Sequence, residues 1–319
     1  MTRDRLAEHL DTTFEGIDET RLPSELRFHR GKVRDIVETG DRLILTTSDR
    51  ISAFDRILTT IPLKGEVLNR MSVYWFRATE DIVSNHLIDE ISSRSVAVKK
   101  AQVLPVEVVM RRYLTGSAWR DYQAHGKVSG IELPPGMRFN ERFELPLLTP
   151  STKAELGTHD EPVSAEEVVE RKLVDTGLWK EIETAAFALF ERGTRLAAER
   201  GLILVDTKYE FGLDEGRLVL VDEIHTPDSS RYWYADTYEE LFDKGEKQRK
   251  IDKEYLRQWL MEHGFMGNGE PPVIPDEMRL NVAERYITAY ETVTGEKFTG
   301  SGTLPENEMG LILEYLSGS

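Results

Sequence analysis

Polar and apolar positions change rhythm along this chain. Up to about residue 110 the apolar residues come in short, partly alternating runs. Lys32–Val37, Arg42–Thr47, Ser95–Lys99 and Val103–Met110 are rich in β-branched side chains, which predicts strands. Gly40-Asp41 supplies a turn between the first two. Within this region Glu66–Thr79 carries Leu68, Met71, Tyr74 and Trp75 at helical spacing.

Beyond residue 110 helices alternate with strands. Ser164 and Glu167 form a capping box that predicts a helix over Ala165–Val174. Leu178–Arg200 follows, with Ile182, Ala186, Leu189, Gly193 and Leu196 on one face and Gly201 as its stop. Two strands, Leu202–Phe211 and Arg217–Ile224, flank the turn Asp214-Glu215-Gly216. Helices are expected at Lys253–His263 and Asp276–Thr294, the second striped by Val282, Tyr286, Ala289, Tyr290 and Val293. The stretch Gly130–Gly157 has prolines at 134, 135, 146 and 150 and little periodicity, so it reads as a long irregular segment, disordered or functional, and its charged, hydroxyl-rich end Thr149-Pro150-Ser151-Thr152-Lys153 favours a functional loop.

Composition narrows the class. With 319 residues, 39% hydrophobic and 31% charged, the chain reads as a globular protein of about two domains. No run is long and apolar enough to span a bilayer, and the N-terminus resembles no targeting segment, so cytoplasm is the expected compartment. The absence of cysteine excludes disulfides, thiolate metal sites and cysteine nucleophiles. A net charge of −16 argues against nucleic-acid binding, and no membrane partner is expected. It also makes concentrated arginines and lysines more informative.

P-loop, GxGxxG, GxSxG and HExxH motifs are all missing. Strand alternation puts Asp206, Lys208 and Glu210 on one face, and the returning strand is expected to bring Asp222 and Glu223 back near Asp206. Such carboxylates around a lysine suit a hard cation such as Mg²⁺; a solvated charged face is the other reading. Thr226–Trp233 sets hydroxyls beside Arg231, which suits phosphate or carboxylate, or is an ordinary polar turn. Arg111-Arg112-Tyr-Leu-Thr-Gly-Ser117 ends a strand and opens a helix, which suits an anion or is a simple cap. Gly31–Asp35 could cover a polyphosphate, and His159-Asp160 could bind a metal or an amine or make a plain polar contact.

Taken in order, the segments GKVRD (31–35), SDRISAFD (48–55), VVMRRYLTGSAW (108–119), TPSTKAELGTHDE (149–161), LVDTKYEFG (204–212), LVDEIHTPDSSRYW (220–233) and DKEYLRQWL (252–260) resemble the phosphoribosylaminoimidazole-succinocarboxamide synthase, or SAICAR synthetase, family. Two departures stand out: Met110 with Arg111-Arg112 where Val-Arg-Gly is expected, and Leu63 where a glycine is expected. The resemblance implies an α+β fold. A smaller β-rich N-terminal domain (1–107) would resemble a protein-kinase N-lobe, a larger α/β domain (108–319) would follow, and ATP would lie in the cleft between them. It implies a ligase that uses ATP and Mg²⁺ to join the carboxylate of 5-amino-1-(5-phosphoribosyl)imidazole-4-carboxylate (CAIR) to the amine of L-aspartate through an acyl phosphate.

By the same resemblance Gly31, Lys32, Val33 and Arg34 would cover the triphosphate, and Glu107–Val109 would meet adenine through backbone groups. Lys208 would contact ATP phosphates or the migrating phosphoryl group, Asp206 would orient the aminoimidazole, and Glu210 and Asp222 would hold the metal. Arg111, Ser117, Ser230 and Arg231 would bind the ribose phosphate, with Lys153, His159, Asp160 and Arg257 on the aspartate side or in loop closure. The sequence leaves oligomeric state open, with a monomer favoured.

Overall fold

The computed structural model describes residues 1–54, 56–153, 161–251 and 254–318. Its strands are β1 (Arg27–Arg30), β2 (Arg34–Glu38), β3 (Arg42–Thr47), β4 (Arg50–Ala53), β5 (Arg56–Thr60), β6 (Leu87–Glu90), β7 (Ser95–Lys99), β8 (Gln102–Tyr113), β9 (Lys127–Val128), β10 (Ile131–Glu132), β11 (Arg142–Thr152), β12 (Leu202–Asp214), β13 (Arg217–Val221) and β14 (Ser230–Tyr234). Its helices are α1 (Arg3–Ala7), α2 (Lys64–Ala78), α3 (Gly116–His125), α4 (Ala165–Glu170), α5 (Thr176–Ala198), α6 (Tyr238–Asp243), α7 (Glu254–Glu262), α8 (Asp276–Thr294) and α9 (Pro305–Gly318). The fold is α+β, as expected, with a sheet-rich N-terminal region. Among the described residues no helix is long and apolar enough to cross a membrane.

Two compact units make up the chain, one of residues 1–74, 87–100 and 252–319, the other of residues 75–86 and 101–251. The first holds an antiparallel sheet of order β1-β2-β3-β7-β6 and the hairpin β4-β5. Alternation along its strands sends Val37 and Ile44 to one side, where they pack with Phe14, Ile17, Met309 and Ile312. Leu45, Val96 and Val98 go to the other side and meet Val73 of α2. Leu63, just before α2, sits at φ 60°, in the left-handed region that a glycine would occupy without strain.

The second unit is built on a sheet of order β11-β8-β12-β13, with β14 pairing β12 on the same flank as β13. α5 packs on one face through Trp179, Ile182, Ala186, Leu189, Phe190 and Gly193. Asp175 caps it by accepting from the Gly177 and Leu178 amides.

Three local expectations need correction. Much of the segment read as a long loop is β11, which crosses residues 142–152. Its prolines are tolerated because β11 is an edge strand, with Pro146 inside an irregularity between Arg142 and Leu147. The strand expected to reach Ile224 stops at Val221, because Asp222 turns to φ 70° and His225 to φ 53°. The helix expected to run to Val174 ends at Glu170, with Lys172 at φ 57°.

Candidate active site

In an antiparallel ladder, directly opposed residues project to the same face. β8, the second strand in the sheet, pairs Glu107, Val109 and Arg111 with Glu210, Lys208 and Asp206 of β12. On its other flank the same residues oppose Ser151, Thr149 and Leu147 of β11. Arg231 of β14 faces Asp206. One sheet face therefore gathers Glu107, Arg111, Thr149, Asp206, Lys208, Glu210 and Arg231. The opposite face carries Val108, Met110, Thr207 and Tyr209, all buried.

The two ends of that polar face have opposite character. At one end two guanidiniums share a single carboxylate. Arg231 donates from Nε to Asp206 Oδ1 at 2.8 Å and from Nη2 to Oδ2, while Arg111 Nη1 lies 3.5 Å from Asp206 Oδ2. Burial pushes the Arg111 guanidinium down; Asp206 opposes that shift and Arg231 adds to it. A site short of negative charge in this way favours an anion. The N-terminus of α3 adds to it. Ser117 Oγ accepts from Arg111 Nη2 at 3.2 Å, and Thr115 makes no side-chain cap bond. Gly116, at φ 61°, permits the approach, since a Cβ there would lie 2.2 Å from Arg231 Nη1.

At the other end carboxylates outnumber ammonium groups. Lys208 Nζ donates to Glu107 Oε1 at 2.9 Å and to Glu210 Oε1 at 2.5 Å, and Lys153 Nζ donates to Glu210 Oε2. Burial alone would lower the Lys208 amine, but Glu210, Glu107 and Asp222 outweigh it and hold the group raised and charged. Lys208 is therefore a fixed cation and not a general base at neutral pH. Burial would likewise raise Glu210, yet Lys208 and Lys153 hold its carboxyl well below the ordinary range.

Glu210, held ionised, and Asp222, whose charge acts on the same Lys208, are donors of the kind Mg²⁺ takes, a hard cation that uses one or two protein carboxylates and completes its shell with water and phosphate oxygens. Among the described residues no group of three or more His, Asp or Glu could hold a metal by itself, so such an ion would need those added oxygens.

The structure places the expected residues unevenly. Asp222 and Glu223 do not return beside Asp206, because the hairpin register puts Val221 opposite Glu210 and β14 brings Arg231 to Asp206 instead. Ser230 does not share a face with Arg231; strand alternation turns it to the buried side, where its hydroxyl lies 2.7 Å from Thr207 Oγ1. His159 and Asp160 lie outside the described residues. Arg257, on α7 of the first unit, stacks on Phe54 with its guanidinium carbon 4.9 Å from the ring centre.

In the first unit Gly31, Lys32 and Val33 form the β1–β2 turn, with Arg34 opening β2. Buried Arg50 supports the turn from below, donating from Nη2 to Gly31 O at 3.0 Å, from Nε to Lys32 O at 3.1 Å and to Asp35 Oδ1 at 2.7 Å. Ser48 Oγ donates to Val33 O at 2.8 Å. Two polar segments separated by a strand thus interlock. Sequence reasoning missed Arg50 and Ser48 as supports. The side chains of Glu107 and Thr149 were missed as well, because strand pairing was needed to bring them in.

An α+β fold with one sheet face polarised in this manner is that of an enzyme for anionic substrates. The chain belongs to the SAICAR synthetase family, whose model matches residues 27–271. It is 47% identical over 289 residues to the phosphoribosylaminoimidazole-succinocarboxamide synthase of Legionella pneumophila strain Paris, covering 88% of this chain and 92% of that one. It is 45% identical over 287 residues to the Bacteroides thetaiotaomicron enzyme of the same name, covering 88% and 91%. Among solved structures it is similar to the Saccharomyces cerevisiae SAICAR synthase complexed with SAICAR, with TM-score 0.78, 36% identity and coverage of 88% and 98%. A SAICAR synthetase in complex with ADP matches with TM-score 0.66 and 26% identity, covering 86% of this chain and all 100% of that one.

Proposed function

We propose that this chain is an ATP-dependent ligase that condenses the carboxylate of CAIR with the amine of L-aspartate, giving SAICAR, ADP and phosphate in purine biosynthesis. The observation that carries the reading is the polarised sheet face, joined to membership of a family whose solved members include complexes with SAICAR and with ADP. A cytoplasmic setting belongs to the same proposal.

The chemistry sets the requirements. A carboxylate is a poor electrophile, since its charge repels an amine and its leaving group would be oxide. Transfer of the γ-phosphoryl group from ATP to a carboxylate oxygen of CAIR makes an acyl phosphate. The aspartate nitrogen then attacks the acyl carbon, and phosphate departs with the former carboxylate oxygen. Arg111 and Arg231, with Ser117, are assigned to the ribose phosphate, and Asp206 orients both guanidiniums. Lys208 is assigned to the ATP phosphates as a permanent positive charge. The turn Gly31–Val33 and Arg34 are assigned to the triphosphate, and the backbone of Glu107–Val109 to adenine. Glu210 and Asp222 would hold Mg²⁺, which when bound supplies charge neutralisation for the phosphoryl oxygens. Holding the reactants together can supply about 7–11 kcal/mol of the barrier; the amine attacks as the free base, and the proton it sheds on becoming an amide leaves with the departing phosphate, so no side chain is assigned as its base.

The test is a coupled assay of ADP release by the purified protein. The reading expects release that requires CAIR and aspartate together, with SAICAR formed in equal amount. ADP release supported by an alcohol acceptor alone would instead identify a small-metabolite kinase.

A further inference from the structure

We propose that Thr149 is a positioning residue that aims Arg111 at the phosphate end of the substrate. The inference rests on the assignment of Arg111 given above and adds a residue to which that assignment gave no part.

Thr149 lies on the edge strand β11 directly opposite Val109 of β8, and Arg111 is the next β8 residue on the same face. Its side chain is thus the diagonal neighbour of Arg111, within reach of a long side chain. The hydroxyl is almost wholly buried, with the residue 2% exposed, and both of its roles are used. Oγ1 donates to Val109 O at 2.9 Å and accepts from Arg111 Nε at 2.9 Å. The first bond sets the direction of the hydroxyl proton, which turns a lone pair toward Nε. Nε is where the planar guanidinium fork begins, so a fixed Nε fixes the direction of Nη1 and Nη2.

Those outer nitrogens are the ones that reach the site. Nη2 donates to Ser117 Oγ at 3.2 Å, and Nη1 lies 3.5 Å from Asp206. Neither contact is short, and Asp206 is engaged more closely by Arg231. The Nε bond to Thr149 is the shortest hydrogen bond that Arg111 makes among these partners. Without it the fork could rotate, and a bidentate grip on a phosphate depends on orientation. A valine at 149 keeps the branched shape at its place on the strand and removes only the hydroxyl.

Steady-state kinetics of the full chain test the idea. Thr149→Val should raise the KM for CAIR about tenfold, the low end for a lost hydrogen bond to a charged group. Its kcat at saturating CAIR and its KM for ATP and for aspartate should stay within about twofold of the parent, and Thr149→Ser should restore the KM for CAIR. In the Arg111→Ala background, Thr149→Val should add little, because both changes remove the same grip. Thr149→Ala makes the same comparison should the valine variant not fold.

If Arg111→Ala raises the KM for CAIR while hydroxyl-free variants at 149 leave it unchanged, the positioning role is overturned and the phosphate assignment stands. If Arg111→Ala leaves it unchanged, the phosphate assignment fails and the role of Thr149 fails with it. A fall in kcat with every KM unchanged would also overturn the proposal.

Discussion

Acidification should weaken the second unit through one buried imidazole. His225 is fully buried, and its ring stands edge-on to Trp75 with centroids 4.6 Å apart. Nε2 lies 2.5 Å from Tyr209 Oη, and Nδ1 has no hydrogen-bond partner among the described residues. Gly193 of α5 makes room for it, since a Cβ there would come within 2.2 Å of His225 Cε1. Burial pushes the imidazole down from 6.5 to about 3. The folded state therefore holds a neutral ring at pH values where the unfolded chain binds a proton. Because the unfolded state binds more protons between those two values, stability is intact above pH 6.5 and is lost as pH falls toward 3. The slope approaches about 1.36 kcal/mol per pH unit below 6.5, so acidification from 7 to 5 should cost about 2 kcal/mol. Against a typical total of 5–15 kcal/mol that is a measurable fraction. Glu210 contributes little over this window, because a lowered carboxyl loses its stabilisation only as pH falls below 4.5. The assay is urea unfolding of the parent and of His225→Asn at pH 7 and pH 5. Asparagine is chosen because it tolerates the left-handed backbone at φ 53°. The variant should start less stable but lose about 2 kcal/mol less on acidification. Equal losses in the two proteins would refute the argument.

Two further outcomes concern turnover. Asp222→Asn should abolish SAICAR formation and leave the melting temperature nearly unchanged, because asparagine keeps the φ of 70° and loses only the charge; undiminished activity would remove Asp222 from the cation site. Gly116→Ala should lower kcat/KM for CAIR by about tenfold or more, since the new Cβ displaces the Arg231 guanidinium from its place beside Asp206. Isothermal titration with CAIR would show the same loss, and unaltered affinity would mean that Arg231 does not need that place.

Strand alternation made half of the site readable in advance. A two-residue period puts Asp206, Lys208 and Glu210 on one face wherever β12 is placed in the sheet. Which strands flank β12 is a tertiary fact, however. Neither the grip of Arg231 on Asp206 nor the bond from Lys208 to Glu107 follows from local pattern. β11 escaped detection because its prolines read as breakers, and only an edge position in the sheet makes them acceptable. The end of β13 at Val221 was hidden for another reason. Two non-glycine residues, Asp222 and His225, take left-handed backbone there, each against its intrinsic preference. The departure at Leu63 was legible as a substitution, while its consequence, a leucine at φ 60°, required the backbone.

A net charge of −16 and a substrate carrying phosphate and carboxylate groups look incompatible until distance is considered. Two unit charges 4 Å apart near a protein surface interact by about 4 kcal/mol, whereas charges beyond about 8 Å are largely screened at physiological ionic strength. The surplus acid along the chain therefore weighs little at a phosphate seated against Arg111 and Arg231, which both engage Asp206. The acidic residues that do count are Glu107, Glu210 and Asp222. They hold Lys208 charged at the opposite end of the same face and leave that end favourable to a cation. On the proposed assignment, the ribose phosphate of CAIR is drawn to one end of this sheet face, and the Mg²⁺ that neutralises the ATP phosphates is drawn to the other. A uniformly basic face would hold the anions but repel the metal, and a uniformly acidic one would do the reverse. The sequence meets both demands by alternating acid and base along β12, from Asp206 to Lys208 to Glu210, at the period that keeps all of them facing the site.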